Sequence, residues 1–130
     1  QTYPQANLAP LNDPFRLAHM QEINSYLAST VHVNHAHRTR AGRWADDETA
    51  QQAMKAKVPQ NMRDAFAIIE QHYLSDAPWV LGEQYSVADP YLFTVAGWLK
   101  SDGVDINEFP RVAAHHARVA ARPAVQKALA

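Results

Sequence analysis

Cysteine is absent from these 130 residues. Its absence excludes disulfide cross-links, thiolate metal sites and a cysteine nucleophile supplied by this chain, and it suits a reducing compartment such as the cytoplasm. Neither sign of charge is in excess: 12 Lys and Arg face 13 Asp and Glu, for a net charge of −1. Such a balance offers no electrostatic footprint for a nucleic acid or an anionic membrane, and neither partner is expected. No apolar run approaches the roughly 20 residues that span a bilayer, and no signal-peptide pattern opens the chain. Strand-like alternation, internal repeats and low-complexity segments are missing too. So are phosphate-binding loops, HExxH metal motifs, serine nucleophile motifs and carboxylate pairs at catalytic spacing.

What is present is a globular composition, 47% apolar, sufficient for one domain with a core of its own. Residues 1–12 hold Pro4 and Pro10 and no periodicity, and they read as a linker. The chain also opens on Gln1 and not on Met, so a fragment or a processed product is expected. Asp13-Pro14 is a helix N-cap followed by proline at the first helical position. Met20, Ile23, Leu27 and Val31 then recur at helical intervals, predicting a long amphipathic helix to about Arg40 that Gly42 ends. A second long helix is predicted from Asp46-Asp47 to about Leu74, with Pro59 kinking it or splitting it. A helix from Pro110 to about Ala121 and a short one after Arg122-Pro123 complete an all-α bundle of five or six helices. Its first two long helices are expected to be antiparallel neighbours.

The stretch from Trp79 to Leu99 carries the most complete local instructions. Ser86 reads as an N-cap, with its hydroxyl accepting from a backbone N–H two or three residues on. Asp89, three residues later, can reach back to the Ser86 N–H and close a capping box. Ala88, Leu92, Val95, Ala96 and Leu99 form an apolar stripe, and Tyr91, Phe93 and Trp98 add bulk on the other sides, the pattern of a buried central helix. Pro90 is placed at the fourth helical position, where its missing N–H forfeits a hydrogen bond and loosens the first turn. Ser86 and Asp89 therefore read as structural, not catalytic.

Candidate chemistry rests on the histidines, of which there are 7. His32 and His35 stand at i, i+3 and can face one way on a helix, with His37 beside them. A metal site needs a third ligand and a supporting carboxylate. No Asp or Glu lies within a turn, so no metal is expected and the histidines read as lining a cleft. Arg38, Arg40, Arg43 and Trp44 cluster around the predicted helix end. There they either meet the negative end of the helix dipole or form an anion-attracting rim. His115-His116 reads as one exposed and one half-buried residue. No residue of this chain is assigned a catalytic role.

Trp79-Val80-Leu81-Gly82 followed by Ser86-Val87-Ala88-Asp89 resembles the hallmark of the helical C-terminal domain of glutathione S-transferases. Phe109-Pro110-Arg111-Val112 and Arg122-Pro123-Ala124-Val125-Gln126 are similar to the last two helices of that domain. Tyr3-Pro4 and Leu8-Ala9-Pro10-Leu11 look like its hinge from a thioredoxin-like first domain. The resemblance implies a linker remnant at 1–12 and a glutathione S-transferase C-terminal domain at 13–130. Bacterial beta-type members are the nearest in pattern, through Tyr26-Leu27-Ala28-Ser29-Thr30-Val31-His32. His32 matches a histidine that contacts glutathione in those enzymes, Val33 stands where they carry a lysine, and Trp98 matches a tryptophan near their electrophile pocket.

The substrate-binding set implied is His32, Val33, His35 and Trp98. Also implied are glutathione as a co-substrate held mostly by a preceding N-terminal domain, a small electrophilic partner, a homodimer and a cytoplasmic setting in detoxification. A non-catalytic helical binding or assembly module is the alternative reading.

Overall fold

The computed structural model describes residues 2–130, so Gln1 of the expected linker lies outside the described residues. The fold is all-α. Helix α1 spans Pro14–Tyr26, α2 His32–Arg40, α3 Glu48–Ile68, α4 Ala88–Ala96, α5 Pro110–Ala120 and α6 Pro123–Leu129, with no strand among the described residues. A π-helical turn at Leu27–Val31 joins α1 to α2 without a break, and a second at Ile69–Tyr73 extends α3. In the first, the His32 N–H bonds to the Leu27 carbonyl, five residues back instead of four.

Capping fixes where the long helices start. Asp13 accepts from the Arg16 N–H at 3.0 Å, and Asp47 from the Ala50 N–H at 2.7 Å. Proline at the first position of α1, α5 and α6 occupies a place where the missing N–H would have had no partner. The α1–α2 rod and α3 run antiparallel, with Tyr26 donating to the Ala65 carbonyl and Asn34 to that of Asn61. Between them Ile23, Leu27, Val31, Met62, Phe66 and Ile69 are sealed from water. Leu92, Val95 and Leu99 close the core from α4 and the turn beyond it. That apolar burial is the main stabilising term in the fold.

Three local expectations are corrected. Pro59 does not split α3, which runs unbroken from Glu48 to Ile68. Gly42 lies inside a 3-10 turn, Ala41–Arg43, and not at a left-handed cap. Pro90 sits at the third position of α4, which begins at Ala88, and the Ser86 carbonyl four residues back takes the Asp89 N–H at 3.2 Å instead. The left-handed glycines are Gly82 (φ 73°) and Gly103 (φ 77°). Gly82 exchanges two 3.0 Å backbone hydrogen bonds with Trp79, and Gly103 ends the 3-10 turn Leu99–Asp102 that follows α4.

Candidate functional site

The approach to α4 gathers around one carboxylate. Asp89, with 0% exposure, accepts from the Ser86 N–H at 2.7 Å and from the Val80 N–H at 2.9 Å. The Ser86 hydroxyl in turn accepts from the Ala88 N–H at 3.3 Å. A further partner is His115 of α5, whose Nε2 lies 2.9 Å from Asp89 Oδ1. That contact corrects the expectation for the histidine pair: His115 is buried, sharing Asp89 Oδ1 with the Val80 N–H, and His116 is half-buried. His116 stacks on Phe93 at 4.4 Å. Burial, and then the neighbouring His115, hold its pKa below the ordinary 6.5.

A second cluster lies at the far end of α4. The π turn at 27–31 sets the register of α2, and the helix presents His32 and His35 to Trp98. The His35 ring lies nearly parallel to the indole, centroids 4.2 Å apart at 21°, while His32 meets it edge-on at 5.1 Å and 71°. Aromatic pairs in these offset or edge-to-face arrangements gain from the ring quadrupole. His32 is exposed, and Val33, His35 and Trp98 are half-buried. Thus the structure brings His32, His35 and Trp98 together. Val33 follows His32 along the helix, where consecutive side chains do not share a face.

Asp102 is the member of this cluster that sequence reading did not include. It ends the 3-10 turn after α4, and its side chain is fully buried. His35 Nδ1 lies 2.9 and 2.8 Å from its two oxygens. Arg38 Nε approaches Oδ1 at 2.9 Å, an ion-pair distance, although its N–H is not aimed well enough to make a hydrogen bond. One local signal did exist: an anion at the C-terminal end of a helix opposes the dipole, so an Asp there calls for a specific cation.

The other basic residues named from the sequence do not join this cluster. Arg40 and Arg43 are exposed, and Trp44 stands edge-on to His37 at 4.3 Å. A separate groove of about 480 Å3 opens past the end of α4. Ala96, Gly97, Lys100, Val104, Ile106 and His116 line it. Among the described residues no three His, Asp or Glu side chains converge as a metal site would require. None of their helices is long and apolar enough to cross a membrane. Chemically, the half-buried indole with one imidazole stacked on it and another edge-on to it can help hold and orient a ligand but carries no nucleophile.

Residues 35–130 match the family model described as glutathione S-transferase, C-terminal domain. Glutathione S-transferase GstA of Escherichia coli O157:H7 is 30% identical over 122 residues, which is 94% of this chain and 56% of that protein. The chain thus spans little more than half of this curated relative. In structure it is similar to a glutathione transferase homolog from Sulfitobacter with bound glutathione, with TM-score 0.93 and 41% identity over 97% of this chain and 60% of that one. It is also similar to BphK, a bacterial glutathione S-transferase seen in a ternary complex, with TM-score 0.81 and 32% identity over 97% of this chain and 59% of the other.

Proposed function

The chain belongs to the glutathione S-transferase family, as its C-terminal domain, and from that premise we propose that it walls the co-substrate pocket of a glutathione-conjugating enzyme. The reaction is attack of the glutathione thiolate on the electrophilic carbon of a small molecule. The thiolate is the nucleophile, so the group that lowers the thiol pKa must come from outside this chain, which carries none. Residues 13–130 form the helical domain, and 1–12 are the hinge from a preceding thioredoxin-like domain that holds most of the glutathione. His32 is the residue facing glutathione. His35 and Trp98 border the electrophile, and part of the helical surface pairs two subunits in a cytoplasmic detoxifying homodimer.

The observation that carries this reading is the packing of His32 and His35 against Trp98, with His32 left exposed. The bound glutathione of the Sulfitobacter relative supports the choice of co-substrate. The transferase names of the relatives leave the assembly-module alternative without an observation in its favour.

The test is a conjugation assay on the full-length protein that carries this chain, with His32→Ala beside it. Loss of one hydrogen bond to a charged ligand is expected to raise the KM for glutathione about tenfold and leave the KM for the electrophile in place. A glutathione KM unchanged by the substitution overturns the role of His32. No glutathione-dependent turnover in the unsubstituted protein overturns the function.

A further inference from the structure

Asp102 is a buried carboxylate for which the proposed reaction has no use. Its place at the C-terminal end of the turn after α4 is electrostatically poor for an anion, and removing a carboxylate from water is costly unless its partners compensate. Those partners are Arg38 and His35.

The His35 contact has a chemical consequence. An ionised carboxylate can only accept, so the proton between Asp102 and His35 sits on His35 Nδ1. In the neutral imidazole Nε2 is then an acceptor with a free lone pair. Nε2 makes no hydrogen bond among the described residues, and it is not one of the unpaired nitrogens sealed from solvent, which are Arg38 Nε and His115 Nδ1. Stacking on Trp98 holds the ring plane while the carboxylate holds its Nδ1 edge. The ring is fixed on two sides, with one acceptor left over.

The geometry points to Asp102 as a positioning residue that keeps His35 in its Nδ1–H form, so that Nε2 accepts a hydrogen bond from a hydroxyl or N–H group on an aromatic ligand lying at Trp98. This inference rests on the reading of the Trp98 surface as the electrophile's side of the pocket. It adds a ligand class: aromatic compounds carrying a donor are preferred over the same ring without one. No covalent step is involved.

The test uses the full-length protein that carries this chain and two probes, 2-naphthol and 2-methoxynaphthalene. They share a ring system and differ in the O–H. By equilibrium dialysis the native protein is expected to bind 2-naphthol about tenfold tighter, the worth of one partly desolvated hydrogen bond. His35→Phe keeps a ring on Trp98 without an acceptor. Asp102→Asn replaces the acceptor with a group that can donate to Nδ1 and so reverse the tautomer. Both are expected to shrink the preference to below about twofold.

Nitrogen-15 NMR of His35 reads the same point with no ligand present, as Nδ1–H in the native protein and a shifted tautomer in Asp102→Asn. A preference that survives His35→Phe overturns the proposal, and so does a native protein without one. A less stable Asp102→Asn with unchanged tautomer and preference makes Asp102 a structural latch and also overturns it. Should that variant not fold, His35→Phe decides. Failure of the conjugation assay would remove the functional reading alone, because dialysis and NMR require no turnover.

Discussion

His115 Nε2 meets Asp89 Oδ1 across 2.9 Å, with both side chains out of solvent. Asp89 also receives the N–H groups of Val80 and Ser86, so one carboxylate joins a loop, a helix start and the neighbouring helix α5. Asp89→Ala leaves two backbone donors and an imidazole unpaired in the core. The expected loss is about 3–5 kcal/mol, above the roughly 1 kcal/mol of an exposed cap, because each orphaned buried donor adds its own desolvation penalty. Urea unfolding reads it, and a variant as stable as the parent would sink the account of Asp89 as the centre of this network.

His116 gives a pH dependence whose sign is fixed by its surroundings. Burial and His115 hold its folded pKa below the ordinary 6.5. The unfolded chain therefore takes up this proton first as pH falls. The stability contributed is fully present above pH 6.5 and declines through the window between 6.5 and the lower folded value. His116→Gln should flatten the fall in thermal stability between neutral pH and pH 5, relative to the parent, even though losing the stack on Phe93 lowers stability throughout. Parallel curves for the two proteins would rule this source out.

Gly103 closes the turn after α4 at φ 77°, and a Cβ there would come within 3.5 Å of Pro59 Cγ. That distance is ordinary contact, so the backbone conformation sets the cost. Gly103→Ala should destabilise by about 1–2 kcal/mol, the left-handed penalty of an L-residue. Denaturant midpoints would show it. A substitution without effect would mean that the turn relaxes freely into another conformation.

Much of the fold could be read in advance because helices announce themselves locally. Met20, Ile23, Leu27 and Val31 repeat at helical spacing and all are buried. Asp13, Asp47 and Ser86 lie where chain direction changes. What stayed hidden was pairing at a distance. Asp102 and His35 are separated by 67 residues, and nothing in either segment names the other. The burial of His115 followed from the unused accepting capacity of Asp89, 26 residues upstream, which only packing reveals. Pro59 was legible as an irregularity, a kink or a split, and of these the split does not occur. Neighbouring helices hold α3 through it, and propensity yields to tertiary packing.

The π turn at Leu27–Val31 makes a phase shifter of the first long rod. By closing its hydrogen bond over five residues it accommodates one residue more than a plain turn, and everything downstream is rotated by about 100° relative to an unbroken α-helix. Ile23 and Leu27 can thus point into the core while His32 and His35 meet Trp98, each half of the rod keeping its own azimuth. The same segment is an indexing joint. Removal of a single residue within it would close the π turn into a plain α turn and leave both imidazoles at the indole, whereas a second removal would swing them about 100° away.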